Sequence, residues 1–267
     1  ANDLALIRVY GFVRCLPDHF MCHIAARTGL GQWADIKHFW NEIKRFRPDI
    51  VYCQGEGLIA LIPALLARAR FGVPFIIDTG DIAELLARKV VAGFAARWKV
   101  ILTERLTLRL ASAIVVRGTY HRRYLAERGF NNIWVIQDGV DMTENSAYRD
   151  LELQNQLGLA NYFVIGLMGN SIWNDSFGMC YGWDLVEAVA LLKDHKIKGL
   201  MIGGGDGIDH LRHRAEALGI SHRMVFTGRL PYDDIGRYLR LIDVALSTQT
   251  NDPVGWARTS GKLPEYL

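Results

Sequence analysis

The sequence predicts an α/β protein made of two doubly wound, parallel-sheet domains, residues 1–144 and 145–267. Three observations carry that reading. Short apolar, β-branched runs recur along the chain with helically spaced stretches between them, the alternation that builds parallel sheets. The chain has 267 residues, 50% of them hydrophobic and 22% charged, enough for two modest cores. Near the middle, Ile133–Ile136 reads as a strand ending in Asp138-Gly139, a turn signal where positive φ costs little, and the polar stretch Asn145–Asn161 follows as a linker.

Each element follows from local pattern. Leu4–Val9 is expected to open the first sheet as a strand. Ile36–Phe46 has helical spacing and Arg47-Pro48 ends it. Asp49–Cys53 reads as a buried strand, Leu58–Arg70 as a helix and Phe75–Ile77 as a strand. Asp81-Ile82-Ala83-Glu84 has the form of a capping box, with Asp81 accepting an early helix N–H and Glu84 reaching back. A further helix runs to Leu110, Ser112–Val116 is a strand, and Gly129 stops the helix Tyr120–Arg128. In the second half Tyr162–Met168 is a buried strand and Asp184–Leu192 a helix. Gly199–Ile202 is a strand running into the turn Gly203–Gly207, and Ile208–Leu218 is the next helix. Met224–Thr227, the helix Asp233–Leu241 and the strand Asp243–Ser247 complete the domain.

Composition removes several function classes. The most apolar run, Leu58–Ala67, is too short to span a bilayer and contains Pro63. Cys15, Cys22, Cys53 and Cys180 form no C-x-x-C pair, which fits reduced thiols and a cytoplasmic location. His19 and His23 are spaced to share a helix face, but no acidic third ligand accompanies them, so no metal is expected. Residues 1–150 carry twenty basic against fifteen acidic side chains, a balance of +5; residues 151–267 carry eleven against thirteen, or −2. Dispersed cations and an acidic second half argue against nucleic acid. The basic first half, with Arg88, Lys89, Arg97 and Lys99 around Trp98, suits a peripheral position on an anionic membrane surface, the alternative being a solvated basic face.

Open parallel sheets bind ligands at the carboxyl ends of their strands, and function is expected in a cleft between the halves. The first-half loops there hold Arg14, Gln54, Glu56, Asp78, Asp81 and Arg117. In the second half, Gly169-Asn170-Ser171 and Gly203–Gly207 follow strands. Such glycine-rich turns let backbone N–H groups approach a phosphate.

Five motifs stand in a telling order: Arg47-Pro48-Asp49-Ile50-Val51, then Ile136-Gln137-Asp138-Gly139-Val140-Asp141, Gly205-Asp206-Gly207, Phe226-Thr227-Gly228-Arg229 and Gly261-Lys262-Leu263-Pro264-Glu265-Tyr266-Leu267. Together they resemble the retaining GT-B glycosyltransferases (family 4-like, glycosyl transferases group 1) from Arg47 to Leu267. The resemblance implies two Rossmann-like domains, the first for the acceptor and the second for the donor, in a chain truncated at both ends. It implies transfer of a hexose from a UDP- or GDP-sugar to a polysaccharide or lipid-linked glycan acceptor, with no bound cofactor or metal.

It also distributes roles. Glu265 is expected to accept both hydroxyls of the donor ribose, as a carboxylate can for a vicinal diol. Ser260, Gly261 and Lys262 are expected at the pyrophosphate, where a helix start supplies N–H donors and positive potential. Arg229, Gly205, Gly207 and Asn170 complete the donor set, and Arg14 and Glu56 lie on the acceptor side. Asp81 and Asp252 are the candidate catalytic carboxylates. The chain departs from the family pattern at Ala257, where a second carboxylate is common, and at Tyr181-Gly182, where Lys-Gly often stands; it also lacks a histidine after Ile77. The bland alternatives are an ordinary capped helix for Lys262 and Glu265, and a simple N-cap for Asp81. The rival functions are a catalytically silent nucleotide- or partner-binding subunit, and a sugar-nucleotide epimerase or phosphorylase on the same fold.

Overall fold

The computed structural model describes residues 4–140, 148–175 and 178–266, with side chains from Arg8 onward. It forms two compact units, Ala1–Gly139 with Gln249–Gly261, and Val140–Thr248 with Lys262–Leu267. The expected domain boundary at 144/145, Asp141 of the central motif and Leu267 lie outside the described residues.

The first unit opens on a helix, α1 (Leu4–Arg14), and not on the strand expected at Leu4–Val9. The segment is rich in good helix formers, and Val9, Phe12 and Val13 recur at helical spacing. The chain then runs without helix to α2 (Gln32–Phe46), so His19 and His23 share no helix face: His23 bonds Glu42 and His19 packs on Phe20. Arg47 ends α2 in the left-handed region (φ 55°), and Pro48 prevents its continuation.

Next come β1 (Val51–Gln54), α3 (Leu58–Phe71), β2 (Phe75–Thr79), α4 (Ala83–Val90), α5 (Phe94–Leu110), β3 (Ala113–Val116), α6 (Thr119–Ala126) and β4 (Ile133–Val135). The four strands pair in parallel in the order β1-β2-β3-β4. On β2 Phe75 and Ile77 are solvent-free on one face, while on the other Asp78 is buried and Ile76 partly so. β1, expected as a buried strand, is an edge strand in which only Cys53 is buried. The register aligns Gln54 with Asp78, Thr79 with Val116, and Val116 with Val135, so the strands end nearly level.

The capping box expected at Asp81–Glu84 does not form. The N–H groups of Ala83 and Glu84 donate to the two carboxylate oxygens of Glu104 on α5, each at 2.7 Å. A helix start binds whichever carboxylate lies on its axis, and Glu104 offers two oxygens at once. Asp81 instead accepts from Arg258, and Glu84 pairs with Arg88 and Arg105.

The second unit contains α7 (Leu151–Gln156), whose cap is Asp150, then β5 (Phe163–Met168) and a small hairpin of β6 (Trp173–Asn174) and β7 (Met179–Cys180). α8 (Trp183–Leu191), β8 (Ile197–Ile202), α9 (Gly207–Ala217), β9 (Met224–Phe226), α10 (Tyr232–Leu239) and β10 (Val244–Ala245) follow. Its parallel sheet has the order β10-β5-β8-β9. The chain moves outward from β5 through β8 to β9 and then returns to the other side of β5, which makes the β5–β10 junction a topological switch point. Alternation along β5 sends Ile165 and Leu167 into one core layer with Val186 and Leu211, and Val164 and Met168 into another with Leu200 and Leu241. Two short helices close the chain: α11 (Pro253–Ala257), which packs in the first unit, and α12 (Lys262–Tyr266), which packs in the second. Among the described residues, no helix is long and apolar enough to cross a membrane.

Candidate functional site

In the second unit the loops after β5, β8 and β9 interlock. The Ser171 N–H donates to Gly204 O (2.8 Å), and the Gly207 N–H to Ser171 O (3.0 Å). Gly203 bridges to Gly228. This close approach demands glycine. Gly203 and Gly205 sit at φ 127° and 131°, where a Cβ would lie 2.1 Å from Gly169 O and 1.9 Å from Ser171 O. Gly207 starts α9 packed beneath Ser171 and Cys180. Asn170 and Arg229 stand exposed on the same strand-end surface.

Against this surface lies α12. The Tyr266 hydroxyl accepts the Met168 N–H at 2.9 Å, which fixes the helix to the carboxyl end of β5 at the switch point. The Lys262 ammonium lies 3.8 Å from the centroid of the Tyr181 ring and beside Gly169, where a Cβ would come within 2.5 Å of it. Tyr181, a departure from the family's Lys-Gly, thus serves as the platform for a lysine supplied from elsewhere. Burial pulls Lys262 down to about 8, with Glu265 opposing; burial raises Glu265, with Lys262 opposing. A half-desolvated cation and carboxylate on one short helix can bind a phosphate and a diol.

In the first unit, Arg8 is the side chain that the sequence concealed. Its guanidinium is buried, donating to Asp78 (2.7 Å), Asp138 (2.6 Å) and the Ile136 carbonyl (2.8 Å), and Tyr52 donates to Asp78 (2.6 Å). A lone arginine in an apolar run was the available signal. Arg14, placed on the acceptor side, stands exposed at the far end of α1. Glu56 is partly buried in the turn after β1. Desolvation raises its carboxyl, a Thr79 hydrogen bond opposes this, and the charges of Asp81 and Asp78 reinforce it.

Asp81 accepts from Arg258 at 2.7 Å. Asp252 caps α11 through the N–H groups of Val254 and Gly255 and pairs with Lys89 at 2.6 Å; these bonds, Lys89 first, hold it down to about 2. Ser260 and Gly261 belong to this unit, with Gly261 passing the Asp138 carboxylate, whereas Lys262 and Glu265 belong to the second. Ala257 is 1% exposed within the first unit's core, so the family's second carboxylate has no place there.

Two α/β units built on parallel sheets, the second with Lys262 and Glu265 on a helix pinned at its strand switch point, point to a class, and the comparisons agree. The chain belongs to the GT-B glycosyltransferases: residues 7–137 match the glycosyl transferase 4-like domain and residues 183–258 the glycosyl transferases group 1. It is 26% identical over 226 residues to the 2-deoxystreptamine N-acetyl-D-glucosaminyltransferase of Streptomyces fradiae, covering 79% of this chain and 52% of that one. In fold it is similar to sucrose-phosphate synthase of Thermosynechococcus elongatus (TM-score 0.61, 15% identity, 80% of this chain and 53% of that one). It is also similar to Anabaena HepE solved in complex with UDP (TM-score 0.60, 21% identity, 81% and 57%). The chain spans about half the length of these relatives.

Proposed function

We propose that the protein is a glycosyltransferase that moves a hexose from a UDP- or GDP-sugar to a polysaccharide or lipid-linked glycan acceptor in the cytoplasm. Transfer retains anomeric configuration and uses no metal. The observation that carries this reading is α12, pinned by Tyr266 to the switch-point end of β5, with Lys262 beside Gly169 in the loop after β5 and Glu265 half-buried on the same helix. Glu265 accepts the ribose diol. Lys262 and Arg229 neutralise the diphosphate in place of a metal, and the Gly203–Gly207 turn offers N–H groups to it. The second domain takes the donor and the first the acceptor, with Glu56 and Asp81 at its strand ends and Asp81 or Asp252 as the carboxylate nearest the chemistry. The UDP bound to HepE and the name of the Streptomyces fradiae enzyme support a nucleotide-sugar donor.

The test is incubation with UDP- and GDP-hexoses plus glycan acceptors, following nucleotide release and the anomeric configuration of product by NMR, with and without EDTA. Release with a retained linkage, insensitive to EDTA, is expected. An epimerised nucleotide-sugar would favour the epimerase reading. Nucleotide binding without turnover would favour the silent subunit.

A further inference from the structure

The chain returns to the first unit through Gln249–Gly261, and it does so at the strand ends. Arg258 reaches Asp81, which follows β2, at 2.7 Å. A Cβ on Gly118, which follows β3, would meet Thr259 Cγ2 at 2.9 Å and the Ala257 carbonyl at 3.8 Å. The segment therefore lies across the carboxyl ends of β2 and β3, where open α/β units take their ligands. Ala257 is enclosed in the core, and its neighbour Trp256 is turned outward, 53% exposed.

A single exposed tryptophan is ordinary on a protein surface, but this one is held in place. Its ring meets Tyr120, the second residue of α6, edge to face with centroids 5.8 Å apart. Its Nε1–H donates to Asn251 Oδ1 at 3.1 Å, and Tyr120 in turn packs against the unit's core. An indole fixed by a ring and a hydrogen bond keeps its orientation before a ligand arrives, so binding against it costs little ordering. Around it the same segment supplies polar groups, Asn251 and the partly exposed Arg258–Asp81 pair. A pyranose matches that combination. One face of the sugar ring presents C–H groups that an aromatic face can cover, and its rim hydroxyls need donors and acceptors beside them.

We infer that Trp256, held by Tyr120 and Asn251, is the platform on which a pyranose ring of the acceptor stacks, so that the acceptor is selected by its sugar and not by a lipid attached to it. The inference rests on the reading of the first unit as the acceptor side. It narrows that reading to a substrate class, a glycan whose accepting end is a pyranose with one uninterrupted C–H face. The packing that encloses position 257 is also what turns the adjacent indole toward the strand-end surface.

Saturation-transfer NMR on the full chain tests it, with methyl β-glucopyranoside, methyl β-galactopyranoside and, as an open-chain control, sorbitol. Transfer is expected to at least one pyranoside, strongest at the ring protons of one face, and none to sorbitol. Trp256→Leu, checked by an unchanged melting curve, should weaken pyranoside binding about fivefold, the worth of one aromatic stack, and Trp256→Phe should keep most of it. UDP binding, followed by calorimetry, should be equal in the parent and both variants. Absence of transfer to both pyranosides, equal transfer to sorbitol, or pyranoside binding unchanged in Trp256→Leu overturns the inference. Loss of UDP binding in Trp256→Leu also overturns it, because the ring would then serve the donor. A parent that binds a pyranoside through Trp256 but binds no UDP would support the platform and overturn the donor assignment instead.

Discussion

Arg8 and Lys262 are two cations partly withdrawn from water, and their surroundings treat them differently. Two carboxylates and a carbonyl compensate Arg8, so its charge belongs to the fold. Lys262 packs on the Tyr181 ring, and burial lowers its value against the pull of Glu265. Glu265→Gln is therefore expected to weaken donor binding by about ten- to a hundredfold, the loss of a charge-assisted bond pair, without unfolding the second unit. Lys262→Ala should weaken nucleoside diphosphate but spare nucleoside; calorimetry with both ligands separates the two roles. Equal binding of every ligand by Glu265→Gln would return α12 to an ordinary capped helix. The lowered Lys262 also fixes two pH signs. Diphosphate affinity should fall as pH rises through about 8, and the fall should vanish in Lys262→Ala. Between about 8 and the ordinary lysine value the unfolded chain binds more protons, so this group raises ligand-free stability with pH in that window. The helix start at Lys262 is legible because its motif is contiguous in sequence. Arg8 is not, because its partners lie 70 and 130 residues away.

At the scale of elements, periodicity located most strands and helices to within a few residues, because which side chains are apolar is a local property. What it missed depends on partners. α1 has the apolar, β-branched run of a strand yet forms a helix outside the sheet, and edge β1 has an apolar run that resembles that of central β2. The cap of α4 comes from Glu104, twenty residues downstream on another helix, which no capping-box pattern reveals. Burial, reinforced by the charge of Glu56, pushes Glu104 up to about 7 against the pull of its two N–H donors. A carboxyl whose folded value is raised contributes stability below its unfolded value that is lost as pH climbs through the folded one. Chemical denaturation should therefore show stability declining from about pH 4.5 to 7. Glu104→Gln should flatten that decline, and Glu104→Ala should cost about 1 kcal/mol through loss of the cap. An unchanged profile in Glu104→Gln would mean that another group carries the titration.

The whole molecule is two units, each with its own core, and the chain returns to the first after building most of the second. The family resemblance identified the segment around Ala257 as donor-side sequence with a missing carboxylate; its packing explains the alanine. Pro253–Ala257 lies on α4 and α6, Trp256 meets Tyr120 edge to face, and Ala257 is enclosed with Leu61, Ile114 and Tyr124. No local pattern announces such a return, because it is decided by complementarity with a surface more than a hundred residues earlier. Restoring the family carboxylate as Ala257→Glu would place a longer, ionisable side chain in that enclosed site, at an expected cost of about 2–4 kcal/mol. The loss should stay in one unit. Hydrogen exchange is expected to speed up in β3 and α6 of the variant while β5 and β8 keep their protection. A nucleoside diphosphate should still slow exchange at Gly169–Ser171, Gly203–Gly207 and Lys262–Tyr266. Equal deprotection of both units would show that they unfold together. Loss of the nucleotide effect would show that the donor surface depends on the segment packed in the first unit, and not on the second unit's strand ends alone.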